Sequence, residues 1–263
     1  MNPAIHSIIK QPQCHTCDSE NCFIRRHVKM EWKRRLIKTK HSSTFQKRQV
    51  IFSEGDPVSG IYFIYNGKVK VYKSSMSGRT QIVRFAGPGD ILGHRGFGKI
   101  KTYPIGADTL TPSVICYIPS FEFIKTIKAN HTLALHLLNF YADELRNTER
   151  KLLMLSHMTV RQKISEAILV LADIYGTQKE GKYEFLEVTL SRQEYAGFTG
   201  SSVEEVIRTL SQLKKDNLIE LDGKRVGITS RNGLEEIIAP FVTHNSDQLN
   251  TVQLAEPAQM SGM

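Results

Sequence analysis

The chain has 263 residues, of which 40% are hydrophobic and 23% charged, and this balance is typical of a globular protein rather than of a disordered or fibrous one. It contains no run of about 18 apolar residues and no apolar core of a signal peptide near its N-terminus, which indicates a cytoplasmic protein without a membrane span. The formal net charge of +9 favours an anionic partner, with nucleic acid as the first choice.

Nearly all of the excess charge lies in the first fifth of the chain. Residues 1–50 hold eleven Lys and Arg against three acidic residues, and the basic residues of 25–40 surround the only Trp, Trp32. Two interpretations stay open for this segment: a solvated basic helix, or a positive surface that contacts phosphate or surrounds a bound anionic group. Residues 1–40 are treated as a separate N-terminal arm.

The four cysteines form a cluster of three and a distant fourth. Cys14, Cys17 and Cys22 have the spacing Cys-x2-Cys-x4-Cys within the arm, and Cys116 lies in the apolar run Val-Ile-Cys-Tyr-Ile. Disulfides are rare in a cytoplasmic chain, but four thiolates can hold Zn²⁺ or an iron–sulfur cluster. The positive charge of Arg25, Arg26 and Lys29 would help to keep such thiols ionised and would offset the negative charge of a cluster. The spacing does not choose between the two metals, and inert thiols remain a third alternative.

Residues 41–120 consist of short apolar or alternating runs separated by turn-forming residues. Strands of about five residues, punctuated by sequences such as Glu-Gly-Asp-Pro and Gly-Pro-Gly-Asp, are typical of an antiparallel barrel or roll. The pair Asn66-Gly67 lies between two apolar runs and predicts a β-hairpin turn.

Residues 121–158 have the period of a helix. The segment contains no Gly or Pro before residue 157, and its apolar residues recur at helical and nearly heptad spacing. A helix of this length can pack on its own domain or on a second copy of itself. We expect a dimer interface that includes Leu138, Tyr141, Leu145 and Leu152.

The segment 159–235 has the pattern of a winged helix-turn-helix. Capping boxes that begin at Ser191 and Ser202 predict a short helix and a longer one, with a tight turn around Gly200 between them. Asp222-Gly223 between two apolar runs predicts a small hairpin, which forms the wing. Because this motif lays its second helix in the DNA major groove, the segment is predicted to bind DNA.

The second helix of this module carries the candidate DNA-reading residues. Its apolar residues fall on one stripe, and its opposite face is polar. Arg208 can present two donors to guanine O6 and N7, and Glu204, one turn earlier, can accept from cytosine N4 or orient Arg208. A plain surface ion pair between them is the alternative. The expected DNA contacts, with phosphate-binding cations included, are Ser202, Val203, Glu204, Ile207, Arg208, Ser211, Gln212, Lys215, Lys224 and Arg225.

These elements together predict an α+β chain. Its parts are an antiparallel β-roll over 41–120, a long dimerisation helix over 121–158 and a winged helix-turn-helix over 159–235. Residues 236–263, whose last part is rich in Ser, Gln and Asn, are predicted to form a disordered tail.

A β-roll, a long helix and a winged helix with Gly200-x3-Glu204-x3-Arg208 resemble the CRP/FNR transcription regulators over roughly residues 40–235. The sequence Gly-Asp-Ile-Leu-Gly at 89–93 is similar to a motif of the family's jelly roll, which binds cyclic nucleotides in some members. In those members a Glu follows the motif and an Arg-Ser pair lies further on. Here His94 stands at the Glu position and no Arg-Ser pair follows, so the resemblance implies no cyclic nucleotide.

The cysteines resemble those of the oxygen-sensing FNR branch, which has three N-terminal cysteines and a fourth in a roll strand just before Ile-Pro. The resemblance implies a [4Fe–4S] cluster on Cys14, Cys17, Cys22 and Cys116, a DNA-binding dimer when the cluster is intact, and weaker dimerisation when oxygen dismantles it. The third cysteine follows after four residues where the best-known pattern has five. Ile207 stands where the branch carries a base-contacting Ser, so the half-site sequence is left open.

The resulting hypothesis is a homodimeric, sequence-specific transcription regulator that senses oxygen or redox state and contacts RNA polymerase. Its DNA would have two-fold-related half-sites. One alternative is a regulator of the same fold that senses a small ligand, nitric oxide or haem without a cluster. Another is a zinc-stabilised protein that binds a protein partner. An enzyme is the least favoured class and is not expected, because no nucleophile elbow, phosphate loop or paired catalytic carboxylates occur in the sequence.

Overall fold

The computed structural model describes residues 12, 14, 17, 19–75 and 78–241. Within these residues the chain forms a β-roll, a long helix and a C-terminal unit of helices and a small sheet, which confirms the predicted α+β architecture. None of the helices in the described part of the chain is long and apolar enough to cross a membrane.

The arm and the roll contain two helices and eight strands. The helices of the arm are α1 (Phe23–His27) and α2 (Met30–Ile37). The strands of the roll are β1 (His41–Phe45), β2 (Val50–Phe52), β3 (Gly60–Asn66), β4 (Val69–Ser74), β5 (Thr80–Ala86), β6 (Ile91–Leu92), β7 (Gly106–Thr109) and β8 (Ser113–Pro119). A short 3-10 turn, His94–Phe97, follows β6.

The roll consists of two four-stranded antiparallel sheets with the orders β1-β8-β3-β6 and β2-β7-β4-β5. The hairpin predicted at Asn66-Gly67 is wrong, because β3 and β4 belong to different sheets and the chain crosses between them at this point. Gly67 has φ +109°, and a Cβ there would lie 2.0 Å from the side-chain oxygen of Ser113. Glycine is therefore needed for a tight crossing over β8 rather than for a two-residue hairpin.

The single helix expected over 121–158 is divided into α3 (Ser120–Ala129) and α4 (His131–His157). Asn130 separates them with an extended backbone, φ −131° and ψ 87°. Its side-chain amide donates to the carbonyl of Thr126 at 2.7 Å. Asparagine competes in this way for carbonyls that would otherwise continue the helix, so α3 ends here.

One face of α4 lies against the roll. Glu144 accepts hydrogen bonds from His94 Nε2 and Arg95 Nη2, both at 3.2 Å, and Arg84 lies 3.5 Å from its other oxygen. Burial alone raises the pKa of this carboxyl, but the His94 hydrogen bond and the charges of Arg84, His94 and Arg95 outweigh it and lower the pKa to about 2. The carboxylate therefore stays ionised and ties α4 to the roll.

A neighbouring face of α4, about 100° round the helix from Glu144, exposes leucines. Leu138, Leu145 and Leu152 are each more than 60% exposed, on one stripe at a seven-residue spacing. Tyr141 differs from them, because it is half-buried and its hydroxyl donates to the carbonyl of His94 at 2.7 Å. In the structure, therefore, the expected dimer surface is a leucine stripe, and Tyr141 is used within the protomer.

The C-terminal unit shares one apolar core, to which Ile82 and Phe85 of β5 also belong. Its elements are α5 (Val160–Tyr175), β9 (Thr177–Glu180), β10 (Tyr183–Leu186), α6 (Arg192–Thr199), α7 (Val203–Lys215), β11 (Ile219–Asp222), β12 (Arg225–Ile228) and α8 (Arg231–Ile238), followed by the 3-10 turn Ala239–Phe241. The wing hairpin β11–β12 is confirmed, and β10 and β9 extend it to a four-stranded sheet.

The tail predicted over 236–263 is wrong for its first six residues. Those residues complete α8 and form the turn that follows it, because Ile238 is 5% exposed and belongs to the apolar core of the unit. Residues 242–263 lie outside the described residues.

Candidate functional site

The four cysteines line one small cavity of about 20 Å³ between the arm and the first sheet of the roll. Cys116 is on β8, where it pairs with Ser42 of β1 and with Phe63 of β3. Cys22 immediately precedes α1, and Cys14 and Cys17 come from the described residues of the arm. The structure therefore brings together thiols that are up to 102 positions apart in the sequence.

A lysine and a serine approach the thiol of Cys116. Lys40 Nζ lies 3.5 Å from its Sγ and donates to Ser42 Oγ at 2.8 Å, and Ser42 Oγ is 3.6 Å from the same sulfur. Lys40 also donates to the carbonyl of Pro12. Since Lys40 and Ser42 lie at the start of β1, next to β8, this polar contact depends on the pairing of the two strands.

Burial disfavours the ionised form of two of these thiols. It raises the pKa of Cys14 to about 11, although Lys40 opposes the shift, and it raises the pKa of Cys22, although the backbone N–H groups of Arg25 and Ile24 oppose it. Thiolates in this cavity therefore require compensating positive charge.

Arg25 supplies a part of that charge. It lines the cavity, and its buried Nη1 has no hydrogen-bond partner within the described part of the chain. Arg26 and Lys29, by contrast, are exposed, so the positive setting of the thiols comes from Arg25 and Lys40 rather than from the whole basic run. A buried guanidinium nitrogen without an acceptor fits an anionic group beside it.

Four thiols are a donor set that suits either a single zinc ion or an iron–sulfur cluster. Across residues 12, 14, 17, 19–75 and 78–241, no three His, Cys, Asp or Glu side chains are grouped so that they could hold a metal ion as they stand. Thiolates around one zinc ion lie about 3.8 Å apart, whereas a cluster with several irons separates its cysteines further. The cavity has room for about one water molecule, so the arm must lie further from β8 when a cluster is bound.

The helix that follows Cys22 contacts the long helix directly. The rings of Phe23 on α1 and Phe140 on α4 lie 6.0 Å apart, and the rings of His27 and His136 lie 3.8 Å apart. Phe23 is buried, and the apolar cluster around it includes residues of the roll, of α3 and of α4. A movement of the arm at Cys22 is thus a movement against α4.

The two helices of the helix-turn-helix begin as predicted. Ser191 and Ser202 each accept from the backbone N–H of the residue three positions later, and each capping box is completed by the side chain of Glu194 or Glu205. Gly200 adopts the left-handed conformation (φ +64°) between the helices. The turn therefore follows from residues near it in the sequence.

The polar face of α7 presents most of the expected DNA contacts to solvent. Val203 is half-buried and packs against the core of the unit, so among the expected contacts on α7 it is the least accessible to DNA. The side chains of Glu204 and Arg208 make no hydrogen bond or ion pair within the described part of the chain, although the charge of Arg208 adds to the hydrogen bonds from Ser202 in lowering the pKa of Glu205. The exposed residues on this face are Ser202, Glu204, Ile207, Arg208, Ser211, Gln212 and Lys215.

The cations of the wing differ in their surroundings. Arg225 is paired with Glu180 of β9 and with Asp222, and its guanidinium lies 4.2 Å from the centroid of the Phe185 ring. Lys224 at the tip is exposed. Lys224 is therefore the more available phosphate contact, while Arg225 also holds the wing to β9.

Sequence reasoning missed Lys40, Ser42, the inward position of Arg25 and the contacts of α1 with α4. Lys40 and Ser42 could be found only from the register of β1 against β8, in which Ser42 faces Cys116. No sequence pattern pointed to His27 and His136, since the two residues come from separate segments.

Two family models match the chain: a cyclic nucleotide-binding domain over residues 43–130 and a Crp-like helix-turn-helix domain over residues 162–237. The chain is 30% identical over 193 residues to the "Anaerobic regulatory protein" of Haemophilus influenzae, covering 73% of this chain and 74% of that protein. The protein of the same name in Pasteurella multocida is 29% identical over 193 residues, with 73% and 70% covered.

The fold is shared with the solved structure of FixK2 from Bradyrhizobium japonicum, with a TM-score of 0.66, 23% identity, and 75% of this chain and 96% of that chain covered. These matches include the roll and the helix-turn-helix on which the sequence resemblance rested. The chain therefore belongs to the CRP/FNR family, and it is a DNA-binding transcription regulator and not an enzyme.

Proposed function

We propose that this regulator acts in the cytoplasm as a homodimer whose DNA binding depends on oxygen or redox state through a [4Fe–4S] cluster on Cys14, Cys17, Cys22 and Cys116. The observation that carries the proposal is the convergence of all four thiols on one cavity that also contains a buried, unpartnered nitrogen of Arg25. The relatives named as anaerobic regulatory proteins support the same signal.

Each part of the chain has a defined task in this proposal. When bound, a cluster would supply a redox-responsive centre held by the cysteine thiolates. The four thiols bind, Arg25 and Lys40 offset negative charge, and the buried side chains of Ile24 and Phe63 limit the access of water. The contact of α1 with α4 carries the state of the arm to the dimer helix.

The leucine stripe of α4 supports self-association, because Leu138, Leu145 and Leu152 are exposed on a face that does not contact the roll. A parallel pair of α4 helices would place two recognition helices on one side of the dimer. Such a dimer binds two-fold-related half-sites in successive major grooves. Contact with RNA polymerase is expected from the family and from no single residue.

The proposal is tested on protein purified without oxygen, by its absorption spectrum and its iron and sulfide content. We expect a brown protein with about four irons and four sulfides per chain. Each of the four Cys→Ser variants should lose most of its iron, whereas Tyr117→Phe, on the same strand as Cys116 but outside the cavity, should keep it. A colourless protein with one equivalent of zinc would contradict the cluster, and a haem spectrum would favour a different sensor in the same fold.

A further inference from the structure

The DNA-binding unit is docked on the second sheet of the roll. Helix α6 lies against β5 so closely that a Cβ on Gly197 would be 2.8 Å from the carbonyl of Thr80. The rings of Phe85 and Phe198 are 4.8 Å apart, and Lys70 of β4 pairs with Glu194 of α6 at 3.3 Å. The position of the helix-turn-helix is thus set by contacts with the roll as well as by its own core.

One backbone carbonyl joins three parts of the protein. The carbonyl of Phe198, in the last turn of α6, accepts from Gln81 Nε2 of the roll at 3.3 Å and from Lys151 Nζ of α4 at 2.6 Å. The same Lys151 ammonium lies over the Phe198 ring, 3.0 Å from its centroid. Only four positions separate Phe198 from Ser202, which caps the recognition helix.

Lys151 is therefore a polar link from the long helix to the start of the recognition helix, beside the apolar contact of Leu155 with the turn at Gly200. The Phe198 carbonyl is in the last turn of α6, and only a short turn separates α6 from α7. Because α6 is a rigid helix, a displacement of this carbonyl is passed on to α7. Carbonyls at a helix C-terminus carry partial negative charge, which favours a cationic donor. No other feature of α4 in the described part of the chain donates a hydrogen bond to α6.

We propose that Lys151 is a positioning residue for DNA recognition: by holding the Phe198 carbonyl it fixes the orientation of the recognition helix relative to α4 and the roll. This role needs no cluster. It is therefore separable from the proposed sensor, and each can fail without the other.

The contact is also sensitive to protons. Burial lowers the pKa of Lys151 to about 7; Glu166 opposes this shift and Lys163 adds to it. The other charged groups of the surrounding cavity, about 460 Å³ between the roll, α4 and the DNA-binding unit, are Arg84, Asp90, Asp143, Glu144 and Arg150. All of these are carboxylates or guanidiniums, and the carboxyl of Glu144 is ionised well below neutrality.

The direction of the pH effect follows from the two pKa values. In an undocked unit the amine is in water with its ordinary pKa of 10.5, so the docked form binds fewer protons between pH 7 and 10.5. Docking becomes more favourable as the pH rises through this window. Specific DNA binding by the docked unit should therefore strengthen from pH 6 to pH 8.

The experiment uses the full chain with a duplex selected by the wild-type protein from random sequences, and a random duplex as the non-specific reference. Lys151→Met should lower affinity for the selected duplex about five- to tenfold at pH 8, as expected for one lost hydrogen bond, and should change non-specific binding less than twofold. Its affinity should also lose the rise between pH 6 and pH 8. Lys151→Arg keeps a donor that stays charged, so it should give a flat pH profile at about the affinity that the wild type has at pH 6.

Lys125→Met is the matched control. Lys125 also lies over a phenylalanine ring, 4.0 Å from the centroid of Phe121, but it is on α3, away from the DNA-binding unit. It should keep both the affinity and the pH profile of the wild type. Gln81→Leu removes the second donor to Phe198 and should give a smaller loss in the same direction. Equal losses on both duplexes, or a wild-type pH profile in Lys151→Met, would overturn the proposal.

Discussion

The cysteine cavity and the recognition helix are built in opposite ways. The recognition helix takes its start, its turn and its buried stripe from residues within about one helix length of one another, Ser191 to Leu213. The cavity is assembled from the arm, the start of β1, and β8, and its polar contacts join residues as far apart as Lys40 and Cys116. A site made of distant segments responds to changes in packing that a locally determined helix tolerates. In the proposed function, the cysteine cavity would respond to a signal, while the structure of the recognition helix would stay the same.

The largest expected effect is on the packing beneath the cysteines. Phe63 is 1% exposed, faces Cys116 in the register of β3 against β8 and lines the cavity. Phe63→Ala should destabilise the roll by about 3–5 kcal/mol, measured by anaerobic urea denaturation. Phe121→Ala makes the same substitution at a 55% exposed position and should cost less than about 1 kcal/mol. Similar losses for both variants would show that the roll does not depend on this packing.

The next effect is on the reading of DNA. Arg208→Ala should cost about 1–3 kcal/mol on the specific site, because it removes two donors to a guanine, and should barely change non-specific binding. Lys215→Ala is the comparison, since a phosphate contact should weaken binding to all sequences alike and reduce its salt dependence. The measurement is a titration of both duplexes at several salt concentrations. An equal loss on both duplexes for Arg208→Ala would make it a phosphate contact.

The smallest effect tests whether the stability of the recognition helix depends mainly on residues of the helix itself. Ser202→Ala removes the side chain that accepts from the N–H of Glu205 and should reduce stability by about 1 kcal/mol. Ser211→Ala changes an exposed serine in the middle of α7 and should stay within about 0.5 kcal/mol. Thermal unfolding of the two variants gives the comparison. A loss of several kcal/mol for Ser202→Ala would mean that the helix depends on more than its own cap.

Much of the fold followed from the sequence because its determinants are local. The capping boxes at Ser191 and Ser202 and the Asp222-Gly223 turn appear in the structure where the sequence places them, since side chain and backbone partners lie within three residues. The failure at Asn66-Gly67 has the opposite cause. The dipeptide turns the chain, but whether the next strand pairs with the previous one is decided by the two sheets.

The site was predicted in part. The four cysteines were expected to act together, and they line one cavity, but their positive surroundings were assigned to Arg25, Arg26 and Lys29. Strand pairing selects Lys40, and the helical turn after Cys22 directs Arg25 inward, while Arg26 and Lys29 face solvent. Tyr141 shows the same limit of sequence-based prediction. Its helical spacing placed it with the leucines of the expected dimer interface, but its hydroxyl donates a hydrogen bond to the roll.

The periodic patterns and short motifs of the sequence by themselves determined the kinds of element and the helix-turn-helix, and they pointed to the family. Those features depend on spacings of a few residues, and the backbone transmits such spacings directly into structure. Only the tertiary structure decided which thiols share a cavity, which cations lie beside them and how Lys151 reaches the carbonyl of Phe198. These contacts join segments that are far apart in sequence, and their geometry comes from sheet register and helix packing, which no short stretch of the chain encodes.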